Sequence, residues 1–486
     1  MVSCKAISRL KVWEPVALVL LVMGVWECGL GWAQLFGIAH SRHALYPATG
    51  TFYNPGPFCG FLAMILPAAL QYIISPRQRL IHWVALAYFI TAVAIMPVLM
   101  GRTGWIAAVA GCLVAAAGCG KIRRPRRWML PAIAVASAAG VGVMLYLKPA
   151  SALGRLLLWR IGVDALMEHP LTGVGWHHVA GALGQAQEAY FHYRPYSVFA
   201  GVAGSPDYAF NEFLQIGIAF GIPSMLLFAA AIALAAVAAW RGQAFGIAGG
   251  LTAFATVCLA SYPLQFPEFI AAAGLMMIGA VTVVPCRCLQ INVGVCMLLL
   301  SFSVWVCLCR VNDAEHNETW NRMRYMCGTR LDKRVINELD SLYATTASYG
   351  CSARFLFDYG KALRGSGLYE KSTVILRRGV EVSSDPMFLN LIGRNYQDLG
   401  RPDSAEHYYL RAIDRLPGRM YPYYLLATLY ADPVAGDPDR FGCVYKKAMT
   451  LEPKVMSPAI RDMRRELDAL RDSVRSHRRE RAAEGR

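Results

Sequence analysis

Charge is scarce in this sequence. Only 16% of its 486 residues are Asp, Glu, Lys or Arg, where soluble globular chains carry about a quarter. Acid is scarcest in the first two thirds. Residues 1–309 hold 8 acidic and 18 basic side chains, leaving 24 and 30 for residues 310–486. A string of soluble domains is excluded for the first part, and the change near residue 310 marks a domain boundary. Further absences narrow the field. No small-residue cleavage site follows the apolar run Val16–Ala33, so that run reads as a retained helix and not as a cleaved leader. The 14 cysteines fall mostly in apolar segments, as Cys28, Cys112, Cys258, Cys296 and Cys307 do. Cys286-x-Cys288 and Cys307-x-Cys309 lack the spacing and partners of a metal site. No nucleic-acid module accompanies the net charge of +16, so basic loops beside a membrane and a basic tail account for it, and nucleic acid is not expected as a partner.

What the chain has is apolar length. Runs of about 20 residues, each able to cross ~30 Å of hydrocarbon, recur from Val16 to Cys309. Nine spans are expected, at about 14–37, 56–74, 81–100, 103–120, 128–147, 209–240, 243–262, 267–285 and 289–309. When these alternate, Lys5, Arg9, Lys11, Arg77, Arg79, Lys121, Arg123, Arg124, Arg126, Arg127, Arg241 and Arg287 fall on one side. The positive-inside rule makes that side the cytoplasm. The N-terminus is then cytoplasmic, and everything after Arg310 lies outside. The outer face also receives the loop His40–Pro57 and a long segment, 148–208, expected as one or two helices on the membrane surface with a Tyr-, His- and Gly-rich loop.

The charged third repeats itself. Leu356-x-x-x-Gly360, Gly367 and Ser372 return 33 residues later as Leu389-x-x-x-Gly393, Gly400 and Ala405, with Pro386 and Pro417 closing the two units. A weaker third unit runs from Tyr423 through Ala427 and Tyr430 to Ala448 and Pro453. The period resembles the tetratricopeptide repeat, paired helices of ~34 residues with small residues where they cross, which stack into binding surfaces. The expected fold is all-α: a polytopic bundle over 1–309 with an outer loop at 148–208, a soluble repeat domain at 310–455, and a charged, Arg-rich helix or tail at 456–486. A disulfide among Cys327, Cys351 and Cys443 is open if that domain is periplasmic.

Polar residues near apolar runs are the candidates for chemistry, because charge inside a membrane is costly. Arg102 sits in Met100-Gly101-Arg102-Thr103-Gly104-Trp105, between two spans at their outer ends. Gly154-Arg155-x4-Arg160 precedes His169-Pro170-Leu171-x-Gly173-Val174-Gly175-Trp176. On a helix the two arginines lie roughly 140° apart, so they need not share a face. Asp207-Tyr208-Ala209-Phe210-Asn211-Glu212-Phe213-Leu214-Gln215 stands at the entry to the sixth span. Asn54-Pro55 reads equally as a turn before the second span.

In this order the motifs resemble the O-antigen ligase and polymerase superfamily, membrane transferases of lipid-linked glycans. Gly50-Thr51-Phe52-Tyr53-Asn54-Pro55 is similar to its Gly-x-Phe-x-Asn-Pro segment, and Gly101-Arg102-Thr103-Gly104 to its Ser-Arg-x-Gly motif. Gly154–Gly175 resembles its outer-loop signature, and Ala209-Phe210-Asn211-x-x-Leu214 with Gly217 and Gly221 its Ala-His-Asn-x-x-Leu motif. Two departures stand out: fewer spans precede Asn54-Pro55 than in relatives, and Phe210 occupies the position of the proposed catalytic His. The resemblance implies a glycan on a polyprenyl pyrophosphate, transferred to a glycan, lipid or protein hydroxyl at the outer face of a bacterial inner membrane. Arg102, with Arg155 or Arg160, would hold the pyrophosphate. Glu212 would take the proton with Asp207 the next nearest carboxylate, and Asn211 and Asn54 would orient oxygens. His169, His177, His178 and His192 are further possibilities from the loop. Neither metal nor cofactor is expected, and a protein partner is expected on the repeats. Phe210 keeps open a non-catalytic scaffold that presents the repeats to envelope partners. A transporter would call for paired mid-span charges and inverted repeats; no repeat relates the halves, and charges inside the spans are few, with Glu27 and Glu268 the exceptions beside Glu14 and Glu212 near the span starts.

Overall fold

The computed structural model describes residues 13–76, 79–120, 149–281, 321–323, 325–328, 332–346, 352–432, 436–452 and 456–484. These residues form helices and no strand. The expected spans at 128–147 and 289–309, the basic residues Lys5, Arg9, Lys11, Arg77, Lys121, Arg123, Arg124, Arg126, Arg127, Arg287 and Arg310, the pairs around Cys286 and Cys307, Cys296, Cys351 and Pro453 lie outside them. The chain divides into two compact units. One comprises 1–149, 210–216 and 223–311; the other comprises 150–209, 217–222 and 312–486.

The first unit is an apolar helical bundle. Its described helices are α1 (Trp13–Leu35), α2 (Pro55–Ile74), α3 (Arg79–Leu99), α4 (Arg102–Gly118), α7 (Glu212–Arg241), α8 (Phe245–Ala260) and α9 (Pro267–Val281). Four of them, α1, α2, α3 and α7, are long and apolar enough to cross a membrane; α4, α8 and α9 are shorter apolar helices. Helix α2 is the axis. Asn54 caps it by accepting from the Gly56 amide at 3.0 Å, Pro55 opens it where no donor is needed, and Phe58 to Ala69 are almost entirely buried. The helices of this unit turn Leu18, Val22, Trp26, Ile90, Val109 and Leu227 outward, as lipid-facing surface requires.

Close packing here comes from small residues. A Cβ on Gly111 of α4 would stand 2.6 Å from the Gly249 carbonyl oxygen of α8 and 2.7 Å from Pro67 of α2. Lipid supplies no hydrophobic drive between helices, so dispersion at short backbone distance has to hold them.

The second unit is built of helical hairpins, each with one buried and one polar face. Its repeat helices are α10 (Lys333–Thr346), α11 (Ala353–Gly365), α12 (Tyr369–Val382), α13 (Met387–Asp398), α14 (Pro402–Arg415), α15 (Met420–Tyr430), α16 (Pro438–Thr450) and α17 (Pro458–Glu484). The 33-residue period appears as geometry. Gly367 and Gly400 both take positive φ, 76° and 69°, where a side chain would be strained. Leu368 bonds back to Leu363, and Arg401 back to Tyr396, the same helix-end closure twice. Gly360 and Gly393 lie at the crossings, where a Cβ would strike Leu376 and Tyr409 respectively. Cys327 and Cys443 are free, and burial, aided by Asp358, pushes the Cys327 thiol up to about 12.

The long segment supplies α5 (Pro149–Glu168) and α6 (Val179–Tyr193) to this unit. One or two helices were expected, lying on a membrane surface. Helix α6 packs against α12 and α14, because its face of Val179, Leu183, Ala186 and Gln187 is buried and carries two glycines that allow contact. A Cβ on Gly184 would meet the Ser384 Cα at 2.7 Å.

Candidate functional site

Three of the four sequence motifs meet in the first unit. Gly101 and Gly104 flank Arg102, and a Cβ on either would collide with Cys59, one turn into α2. The Cys59 thiol also donates to the Gly101 carbonyl at 3.4 Å. The two glycines therefore let the start of α4 lie directly on the start of α2. This places half-buried Arg102 beside the Asn54-Pro55 end, since a Gly101 Cβ would also come within 3.6 Å of the Gly56 carbonyl. Trp105 locks the turn by donating from its ring nitrogen to the Met96 carbonyl at 3.1 Å.

Asn54 then reaches the third motif through a residue that sequence reasoning missed. Its Nδ2 donates to the Tyr262 hydroxyl at 3.4 Å, and the Tyr262 ring lies edge-on to Phe210, 4.9 Å between centroids. Two residues on, the Leu264 amide donates to Glu212 Oε1 at 2.7 Å. Glu212 is buried, and its Oε2 has no hydrogen-bond partner among the described residues. Asn211 caps α7 by accepting from the Leu214 amide at 3.1 Å. Asn54 and Asn211 thus both serve as helix caps, with Asn54 keeping its amide hydrogens for a second contact.

Backbone strain falls on the same motifs. Three non-glycine residues among those described have positive φ: Met100 at 49°, Phe210 at 51° and Gln243 at 63°. The first stands two residues before Arg102 and the second two before Glu212. Strain of about 1–3 kcal/mol per residue persists where surrounding structure fixes it, and it clusters at functional sites.

A second polar group was only half legible in the sequence. Thr51 donates its hydroxyl to Glu27 at 2.7 Å and lies 3.3 Å from Glu268. Gln34 accepts from both Thr49 and Gly50 at 2.8 Å, and Arg42 donates to the Thr51 carbonyl at 2.7 Å. Glu27 and Glu268 stand out as acids in apolar helices. Their meeting through Thr51 follows only from the folded loop.

The remaining candidates lie in the second unit. Arg155 is half-buried, whereas Arg160 is exposed and pairs with Asp164 one turn on at 3.3 Å. His169, His177 and His178 are exposed, and His192 pairs with Asp414 at 2.8 Å. Asp207 reaches solvent, yet the protein packed round its carboxyl and nearby Asp385 push its pKa up against the pull of Arg354.

The loop motif is spent on backbone docking. Val174 and Gly175 donate to the Ile218 and Ala219 carbonyls at 2.9 Å, and Ile222 donates to Pro170 at 2.7 Å. Gly173, Gly175 and Gly221 take positive φ to allow it. A Cβ on Gly173 would strike Ala219, and one on Gly221 would strike Leu171. Helix α7 is broken at Gly221, φ 86° and ψ 168°, and Trp176 stacks on Phe220 at 6.2 Å. The glycines of His169–Gly175 and the Gly217/Gly221 pair are thus two halves of one joint. Asp437-Pro438-Asp439, an Asp-x-Asp in sequence, is also structural: Asp437 caps α16 by accepting from the Asp439 and Arg440 amides.

The fold and these features define a multi-pass, all-helical membrane protein. Residues 87–229 match the family model for O-antigen ligase, a stretch that contains Arg102, the outer-loop motif and Phe210–Leu214 but not Asn54. The match supports a membrane glycosyltransferase of the O-antigen ligase type. No curated protein matches the chain.

Proposed function

We propose that this protein transfers a glycan from a polyprenyl pyrophosphate to an acceptor hydroxyl at the periplasmic face of a bacterial inner membrane, with nine spans, a cytoplasmic N-terminus and periplasmic tetratricopeptide-like repeats. The observation that carries it is the placement of Arg102: a cation at the start of α4, held against the start of α2 by two glycines, inside the family match. In the reaction the acceptor oxygen attacks the anomeric carbon, the bond from that carbon to the pyrophosphate oxygen breaks, and the hydroxyl proton leaves. Negative charge grows on the pyrophosphate, and a fixed guanidinium meets it with a planar pair of donors. Arg102 takes this role, with Arg155 or Arg160 as second cation.

Phe210 cannot accept the proton. Glu212 takes it on Oε2, the oxygen that its bond to Leu264 leaves over. Asn54 and Tyr262 orient a sugar oxygen, and no metal or cofactor is called for. A protein acceptor or protein partner on the repeats fits the appended domain. The second reading, a scaffold without catalysis, draws on Phe210 alone.

The test is deletion of the gene in its host, with complementation by wild type, Arg102→Ala and Glu212→Gln and measurement of surface glycan and glycoprotein. Transfer predicts glycan stranded on its lipid carrier, rescued by wild type and not by Arg102→Ala, although that variant inserts normally. Glu212→Gln should cut turnover by roughly 10²-fold or more, as loss of a general base does. Normal glycans in the deletion strain would favour the scaffold, and unchanged turnover in Glu212→Gln would remove the proton from that residue.

A further inference from the structure

Glu188 is one of only 8 acidic residues in the first 309, and the proposed reaction does not use it. It lies on α6, yet its partners are more than 220 residues away in sequence. Its Oε1 accepts from Arg411 Nε at 2.5 Å and its Oε2 from Arg415 at 2.8 Å. The Arg415 side chain is wholly buried and that of Glu188 nearly so, at 0% and 15% exposed. The adjacent Gln187 donates to the Arg415 carbonyl at 2.5 Å and to the Gly204 carbonyl at 2.9 Å. On the same face Gly181 has no room for a side chain, because a Cβ would strike the Glu381 carbonyl. One turn beyond Glu188, His192 meets Asp414.

The other end of α6 carries the loop. Only the single turn Trp176–His178 separates α6 from the segment His169–Gly175, whose backbone is bonded to Ile218, Ala219 and Ile222 of the broken α7. No slack lies between the ion pair and the joint, so a shift of α6 on the repeat helices must move the joint. The joint belongs to the helix that Asn211 and Glu212 open.

We infer that Glu188 is a positioning residue for the transfer reaction: by pinning α6 to α14 through Arg411 and Arg415, it fixes the outer loop His169–Trp176 against the break in α7. The repeats are then a working part of the transferase, not only an adaptor for partners. This rests on the transferase reading above for its kinetic consequence, but the pin itself has an independent readout.

The experiment uses the full chain in proteoliposomes with a lipid-linked oligosaccharide donor. Glu188→Gln and Arg411→Ala should each lower kcat about tenfold or more, as misplacement of reacting groups does, with the donor KM within about twofold because Arg102 is untouched. Glu188→Asp should keep most of kcat. Arg440→Ala, which breaks the exposed pair with Glu406 elsewhere in the repeats, should change neither. Chymotrypsin reports the pin without any activity: cleavage after Tyr193 and Tyr196, 80% and 92% exposed, should accelerate in Glu188→Gln and Arg411→Ala. Unchanged kcat in both variants, or an equal loss in Arg440→Ala, overturns the positioning role. If wild type transfers nothing, the transferase reading fails, and the cleavage rates decide alone. Equal cleavage of wild type and Glu188→Gln then removes the pin.

Discussion

The two units share close glycine contacts and differ in what else holds their helices. In the apolar bundle, contact is made by what is missing: Gly101, Gly104, Gly111 and Gly249 let backbones touch, and polar side chains are few and caught in caps and turns. In the repeat unit, glycines again admit the closest crossings, but long polar side chains tie the helices together. Tyr409 bonds Gln397 at 2.9 Å, buried Asn395 donates to Ser372 and Thr373, and Arg415 is buried whole on Glu188. The difference follows from the solvent. Lipid gives helices no hydrophobic reason to associate, so short range does the work. Water drives apolar faces together, and the polar groups caught between them must then be paired.

The contrast can be broken at its strongest points. Gly111→Val should have the largest effect, because its first carbon would stand 2.6 Å from a backbone oxygen that cannot move aside alone; little folded, monodisperse protein should elute on size exclusion in detergent. Glu188→Ala comes next. It leaves the buried Arg415 charge unpaired and should cost ~3–5 kcal/mol in the stability of the repeat unit, read by denaturant unfolding. Arg102→Ala should leave folding intact and lower transfer by about 10²-fold. Tyr409→Phe removes one hydrogen bond to Gln397 and should cost ~1 kcal/mol in the same denaturant assay.

Asp207→Asn is the smallest and the most diagnostic of charge. The carboxyl of Asp207 has its pKa raised by the protein around it and by Asp385, so the folded state holds its proton more tightly than the unfolded chain. Stability from this group is present below the ordinary value of 3.8 and is lost as pH rises through the higher folded value. Asp207→Asn should flatten that decline, and a wild-type slope retained in the variant would assign it to another group.

The sequence made some of this legible for physical reasons. Apolar length gave the candidate spans α1, α2, α3 and α7. A 33-residue echo of glycines gave the hairpins, since a left-handed turn and a tight crossing each demand Gly. The Gly-Arg-x-Gly motif gave the close start of α4. What stayed hidden depends on contacts distant in sequence. Tyr262 sits 208 residues from Asn54 in a turn with no motif of its own. Its aromatic-polar run Ser261-Tyr262-Pro263 at the end of an apolar helix was the available signal. Glu188 belongs to no motif, and its partners Arg411 and Arg415 lie more than 220 residues away. The joint between the loop glycines and Gly221 depends on backbone bonds across more than 40 residues. The docking of α6 on α12 and α14 was not legible either, because it depends on helices more than 170 residues further along the chain.

The most direct measurement is release of polyprenyl pyrophosphate, with matching glycosylated product, by the purified full chain in proteoliposomes supplied with a lipid-linked oligosaccharide and a hydroxyl acceptor. Transfer centred on Arg102 predicts one carrier pyrophosphate released per glycan transferred by wild type, and a loss of both of about 10²-fold in an Arg102→Ala protein of unchanged elution profile. Equal release by wild type and Arg102→Ala would contradict the role given to that arginine, and no release by wild type with any acceptor would contradict the transferase itself.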